Sequence, residues 1–250
     1  MPDIPNPRLP VHGETVSIRQ GLETLEGYLA VPVGEFTQRP AVLVLHEVWG
    51  LDDHIRSVAR RIAGEGYVAL APNLFSREGP PPGTTIEELR PFMFRIPDLR
   101  VVKDLEAGIT FLRANPLVSQ RPIGAVGFCI GGTWARMLAI REGSLAAVVD
   151  FYGRLRYPEL SDNKPFQPID RVAEMCCPYL GLFGGEDPVI PSSDLEELRW
   201  RLESAHRAFD IKVYPGAPHA FFNDSRALYQ DPPAEIAWRD TTKFLSQHLG

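Results

Sequence analysis

The chain has 250 residues, 44% apolar and 23% charged, close to ordinary globular usage, which excludes wholesale disorder and leaves material for a sizeable core. With 26 basic against 32 acidic residues its net charge is −6, so it has no basic footprint for nucleic acid or for an anionic membrane. No segment approaches the roughly 18 consecutive apolar residues that span a bilayer; residues 1–8 lack the basic start and apolar run of a secretory signal; and three cysteines are too few for a disulfide framework, so the expected setting is cytoplasmic and reducing.

In chain order, residues 1–13 read as an N-terminal tail that includes His12. Two alternating segments follow, 14–19 and 24–31, joined by the hairpin connection Gln20–Glu23. After the loop Pro32–Pro40, Ala41–Leu45 is a short continuous apolar run, as suits a strand buried on both faces. Residues 54–64 place Ile55, Val58, Ala59 and Ile62 on one helical stripe. Residues 67–71 predict the next strand. The stretch 72–97 then holds six prolines and reads as the longest irregular segment, a candidate functional loop. Helices are predicted over 99–113, 133–141, 194–208 and 234–249, and strands over 123–127, 145–151, 179–183 and 211–214. Alternating strands and helices with short connections imply right-handed crossovers. The expected α/β fold has a mostly parallel central sheet of about eight strands, helices on both faces and the antiparallel pair at one edge. No linker divides the chain, so one domain is expected over 1–250.

The segment Gly127-Phe128-Cys129-Ile130-Gly131-Gly132 joins a predicted strand to a predicted helix. Gly-x-Cys-x-Gly in that setting is the pattern of a nucleophile elbow, a sharp turn with the nucleophile at its tip. A thiol there sits at a helix N-terminus, which favours thiolate, and the Ile130 N–H faces a developing oxyanion. Such folds present their partners in the order nucleophile, acid, histidine. Asp187 follows the strand 179–183, with Glu186 as the fallback acid. His219 lies in a Gly/Pro-framed loop after the last strand. His46 ends the strand Ala41–Leu45 and reads as a histidine ordering the turn, while His206 and His248 read as solvent-facing helix residues. No metal-ligand spacing and no phosphate or dinucleotide loop occurs, so no metal and no cofactor is expected. Cys176 and Cys177 read as structural.

Together His46-Glu47-Val48-Trp49-Gly50, Ala71-Pro72-Asn73-Leu74-Phe75-Ser76-Arg77, the elbow, Gly185-Glu186-Asp187 and His219-Ala220-Phe221-Phe222-Asn223 resemble the dienelactone hydrolases (carboxymethylenebutenolidases) of the α/β-hydrolase superfamily. The resemblance implies a triad of Cys129, His219 and Asp187. It implies that Glu47 contacts the resting thiol and moves on substrate binding to deprotonate it. It implies an oxyanion hole from the N–H groups of Ile130 and Val48, and Arg77 on a substrate carboxylate, with Trp49, Phe221 and Asn223 as further substrate contacts. One departure is clear. The family's second carboxylate-binding arginine, four residues after the histidine, is Asn223 here, and the nearest arginine is Arg226. The expected partner is a small ester or lactone, without nucleic acid or membrane, and the expected state is a monomer. The alternatives are a general carboxylesterase or thioesterase on the same scaffold, and a catalytically silent binding or redox-sensor protein.

Overall fold

The computed structural model describes residues 9–34, 38–118 and 120–250. The eight strands are β1 (Val11–Gln20), β2 (Glu23–Pro32), β3 (Ala41–Leu45), β4 (Val68–Pro72), β5 (Ile123–Phe128), β6 (Leu145–Phe151), β7 (Tyr179–Gly184) and β8 (Phe209–Tyr214). They form one sheet in the order β1-β2-β4-β3-β5-β6-β7-β8. β1 and β2 run antiparallel at one edge, β2 is antiparallel to β4, and every later pairing is parallel. This is the expected α/β-hydrolase architecture. The central strands β3, β4, β5 and β7 are buried along their whole length, which accounts for their unbroken apolar runs.

Among the described residues six α-helices accompany the sheet: α1 (Asp53–Gly64), α2 (Ile86–Arg95), α3 (Asp98–Ala114), α4 (Ile130–Arg141), α5 (Ser192–Ser204) and α6 (Asp231–Leu249). α3 approaches one face, with Gly108 against Leu43, and α6 the other, with Leu249 against Gly124. Among the described residues no helix is long and apolar enough to cross a membrane.

The structure corrects four local expectations. β1 begins at Val11, so His12 is a strand residue; residues 1–8 of the expected tail, and residues 35–37 of the Pro32–Pro40 loop, lie outside the described residues. The proline-rich stretch contains α2. Thr85 and Glu88 form a reciprocal capping box at its start, and Pro91 is tolerated inside it, so local capping outweighs proline content. α4 starts at Ile130, three residues before the predicted position, and runs through Gly131 and Gly132. Glycine lowers helix propensity, but here it permits close packing: a Cβ on Gly131 would lie 2.5 Å from the Leu45 carbonyl oxygen. α5 ends at Ser204, leaving His206 exposed in a left-handed turn (φ 53°).

The parallel register aligns the strand exits. Leu45 pairs with Gly127, Phe128 with Phe151, Phe151 with Leu182 and Gly184 with Tyr214. The loops after β3, β5, β6, β7 and β8 therefore gather at one edge, where open sheets of this kind build their sites.

A buried polar knot braces that edge. Arg136 of α4 donates to Asp150 of β6 and to the carbonyls of Gly153 (3.1 Å) and Arg154 (2.5 Å). Tyr179 Oη donates to Asp150 at 2.8 Å, and the Gly153 N–H donates to the same carboxylate at 2.8 Å. Removing one member of a buried ion pair leaves the other charge uncompensated. Asp150→Ala is expected to lower the unfolding free energy by about 3–5 kcal/mol in urea titration; an unchanged midpoint and slope would show that Arg136 does not depend on Asp150.

Candidate active site

Cys129 caps the N-terminus of α4 with φ 53° and ψ −118°. A non-glycine residue holds such backbone only where its surroundings over-determine it. Its N–H donates to Phe151 O at 3.0 Å, and its carbonyl accepts from Gly132 and Thr133. A Cβ on Gly127 would collide with the Gly131 carbonyl, and one on Gly132 with Asp150. Both glycines thus serve the turn.

The sulfur Sγ lies 3.3 Å from His219 Nε2, and His219 Nδ1 lies 2.7 Å from Asp187 Oδ2. The carboxylate makes Nδ1 the donor, which leaves Nε2 facing the sulfur. Asp187 is buried, and its other oxygen accepts the Val189 N–H at 2.7 Å. Burial works against charge on His219, but Cys129 and then Asp187 outweigh it and raise the imidazole from 6.5 to about 10. The structure thus brings together the three residues predicted from chain order. Glu186 is exposed and makes no contact with His219 among the described residues.

Glu47 follows β3 and is 2% exposed. Its Oε2 accepts from Asn223 Nδ2, while Oε1 has no hydrogen-bond partner among the described residues. Burial raises its pKa; His54, Asn223, His219 and Tyr152 each offset part of that rise. Asn223 is itself held through Oδ1 by the Ser225 N–H (3.0 Å) and hydroxyl (2.6 Å). Next to Glu47, His46 is a turn residue: Nδ1 donates to the Glu47 carbonyl at 2.7 Å and Nε2 accepts the Leu74 N–H at 3.0 Å. Burial lowers it to about 4, so it stays neutral.

A cavity of about 230 Å³ opens above the sulfur. Cys129, His219, Val48 and Ile130 line its floor, and Ile86, Met93, Val189 and Leu228 supply apolar walls. Arg90 and Arg154 are the two cations on its wall. Neither pairs with a carboxylate among the described residues; Arg154 donates only a long 3.4 Å bond to Arg156 O.

The expected substrate contacts are elsewhere. Arg77 is committed to Asp104, at 2.6 and 3.0 Å, and to Glu23 at 2.5 Å. With its donors occupied it is a structural arginine, and the cavity does not include it. Trp49 lies under the guanidinium of Arg226, 3.8 Å from the ring centroid. Phe221 is fully buried between Tyr152 and Tyr214. Asn223 is spent on Glu47.

The sequence reading passed over Arg90, Arg154, Tyr152 and His54. Tyr152 and Arg154 directly follow β6, and the rule that pointed to Asp187 after β7 applies equally to them. Arg90 was hidden by the proline-rich reading of α2. Among the described residues no cluster of His, Cys, Asp or Glu is arranged to hold a metal ion.

A sequence profile of the dienelactone hydrolase family matches residues 25–249. A protein of Bradyrhizobium sp. named for 2-oxo-3-(5-oxofuran-2-ylidene)propanoate lactonase activity is 36% identical over 235 residues, covering 94% of each chain. One from Escherichia coli (strain K12), named for carboxymethylenebutenolidase activity, is 35% identical over 242 residues, 96% of this chain and 88% of its own. The crystal structure of a protein titled as a dienelactone hydrolase, from Klebsiella pneumoniae subsp. pneumoniae MGH 78578, superimposes with a TM-score of 0.91 at 33% identity. It covers 95% of this chain and 99% of that one.

The raised His219 pKa has a sign that can be tested. A group whose pKa is raised on folding contributes stability fully present below its unfolded value, near 6.5, and lost as pH rises through the folded value of about 10. Cys129→Ala removes the largest influence raising it. The His219 Cε1–H titration, followed by NMR, is expected to fall by at least about one unit in that variant, and the stability loss between pH 6.5 and 10 should shrink with it. Equal midpoints would show that sulfur and imidazole are not coupled.

Proposed function

The chain belongs to the dienelactone hydrolase family, and from that premise we propose that it hydrolyses a small ester or lactone through a thioester on Cys129. The observation that carries this reading is the continuous contact from Cys129 Sγ to His219 Nε2 (3.3 Å) and from His219 Nδ1 to Asp187 (2.7 Å). Thiolate sulfur attacks the acyl carbon, and the carbonyl electron pair moves to oxygen. The N–H groups of Val48 and Ile130, which flank the cavity floor, receive that charge. Collapse breaks the C–O bond, the departing alkoxide or enolate takes the proton that Glu47 removed from the thiol, and the thioester remains. His219 then takes a proton from water, hydroxide attacks the thioester, and the acid leaves. Asp187 holds the ring and its charge throughout. Glu47, buried and with its pKa raised, acts as the base that forms thiolate when substrate arrives.

The substrate class follows from the walls. A cavity of about 230 Å³ admits a small acyl compound. Two guanidinium groups without carboxylate partners, set in an otherwise apolar cavity, favour an anionic one. Arg154 is half-buried, and a bidentate carboxylate would satisfy donors that the protein leaves open. The reading therefore keeps the carboxylate expected from the family resemblance and moves its recognition from Arg77 to Arg154 and Arg90. The Bradyrhizobium relative is named for a lactone that carries a propanoate group.

Steady-state hydrolysis of a carboxylate-bearing dienelactone and a neutral nitrophenyl ester tests both parts. Cys129→Ala is expected to lower kcat by about 10³-fold or more on either substrate; activity near wild type would remove the nucleophile. Arg154→Ala is expected to raise KM for the carboxylate substrate by roughly 10- to 100-fold, the worth of a charge-assisted hydrogen bond, with the neutral ester within about twofold. Equal losses on both substrates would show that Arg154 supports the fold and does not select the anion.

A further inference from the structure

Apart from the triad, a buried cation and carboxylate that the reaction above does not use join the segments carrying the two cavity arginines. Asp98, in the first turn of α3, and Lys164, in the loop after β6, are both fully buried, and Lys164 Nζ donates to Asp98 Oδ1 at 2.5 Å. The same carboxylate accepts from Trp134 Nε1 of α4 at 2.7 Å and from Tyr157 Oη of the β6 loop at 2.8 Å. Lys164 Nζ also donates to the Ile96 carbonyl at 2.9 Å, and the Asp98 N–H donates to Asn163 O at 3.0 Å. The Trp134 and Tyr157 rings stand 5.7 and 5.2 Å from the ammonium.

The three segments that meet at Asp98 each reach the cavity over Cys129. Ile96 caps the C-terminus of α2, and Ile86, Arg90 and Met93 of that helix line the cavity at a spacing of i, i+4 and i+7, which places them on one face. Tyr157 lies three residues beyond Arg154 in the same loop, and its ring meets Phe94 of α2 edge-on at 5.9 Å. Trp134 follows Thr133, whose hydroxyl donates to the Arg154 carbonyl at 3.0 Å and whose N–H donates to Cys129 O at 3.3 Å. α2 buries only Leu89 and Phe92 of its ten residues, so its placement leans on its ends.

We propose that Asp98 and Lys164 are positioning residues for anion recognition: their ion pair sets α2, with Arg90, against the loop that carries Arg154, and so fixes where one guanidinium stands relative to the other over Cys129. The inference rests on the reading that the cavity takes an anionic substrate. A buried ion pair is weak support for stability, because desolvation offsets its attraction, and apolar groups of the same volume often stabilise a fold as well or better. Burial accordingly pushes the Lys164 ammonium down, against the pull of Asp98. What the pair adds is direction. Lys164 is satisfied only with the Ile96 carbonyl and the Asp98 carboxylate both in reach, and Asp98 only with donors from α4 and from the β6 loop. One arrangement of α2, α4 and that loop meets all of these contacts. A guanidinium–carboxylate contact is equally directional, so a small displacement of α2 is felt at the substrate.

The test compares KM on a carboxylate-bearing dienelactone and on a neutral nitrophenyl ester for wild type, Lys164→Met, Tyr157→Phe, Arg90→Ala and the Lys164→Met/Arg90→Ala double variant, with thermal melting alongside. Lys164→Met keeps the volume and releases the cap of α2. It is expected to raise KM for the dienelactone about 10-fold more than KM for the ester. Tyr157→Phe removes one hydroxyl and keeps the ring; it should move the ratio of the two KM values the same way by roughly threefold, the worth of one hydrogen bond, and it decides the matter where Lys164→Met fails to fold. The double variant should discriminate no worse than Arg90→Ala alone, because Lys164 acts through Arg90. A purely structural ion pair predicts a changed melting temperature with the wild-type KM ratio. That result in the single variants, or losses of discrimination that multiply in the double variant, would overturn the proposal. Wild-type KM values in Arg90→Ala would instead overturn the anionic-substrate reading, and retained turnover in Cys129→Ala the hydrolase reading, so the three failures are distinct.

Discussion

At Cys129 the backbone takes φ 53° and ψ −118°, a conformation that costs a side-chain-bearing residue of order 1–3 kcal/mol. The turn survives because glycines on both sides let the chain approach closer than any Cβ permits. Gly131 rests on the Leu45 and His46 carbonyls at the exit of β3, and Gly132 rests on Asp150 at the end of β6. One packing constraint therefore fixes three segments relative to the sulfur. The first carries Glu47 and Val48, the second Tyr152 and Arg154, and the third is the helix α4 that begins with Ile130. The Arg136–Asp150 knot reinforces this from below, since the same guanidinium that neutralises Asp150 also holds the Gly153 and Arg154 carbonyls.

Carboxylates at the catalytic edge have parted into different roles through their partners. Asp150 accepts from Arg136, Tyr179 and the Gly153 N–H, and is a charge fully committed to structure. Asp187 accepts from Val189 N–H and His219, which leaves it to support an imidazolium. Glu47 has one oxygen on Asn223 and one without a partner among the described residues. Buried and undersatisfied, it is the carboxylate with a raised pKa and thus the one fitted to accept a proton. The substitution of asparagine for arginine at 223 bears on this balance, because an amide holds Glu47 in place without the full charge that would keep it a weak base.

Where the sequence reading succeeded, the signal was local. A continuous apolar run marked β3 and a mainly apolar one marked β6, both to the residue, and strand, Gly-x-Cys-x-Gly and helix in succession marked the elbow. Where it failed, the deciding contact was distant. Arg77 stands in a motif suggestive of substrate binding, but Asp104, 27 residues away on α3, takes its donors. The capping box of Thr85 and Glu88 was local and legible, yet proline content masked it, and with it Arg90. His54 stands outside the stripe of Ile55, Val58, Ala59 and Ile62 and has no role in the sequence reading; its partner Asp224 lies 170 residues later.

By itself the sequence determined the fold class, the edge of the sheet where the strand-exit loops gather, and that Cys129, Asp187 and His219 would meet there. Those follow from periodicity, turn chemistry and the rule that parallel strands deliver their C-terminal ends to one side, all properties of short segments. Only the tertiary structure decided which arginines line the cavity over Cys129, what Glu47 and Asn223 do to each other, and that His54 meets Asp224. Those outcomes depend on which charged side chains find partners across the chain, and pairing at a distance leaves no mark in the local sequence.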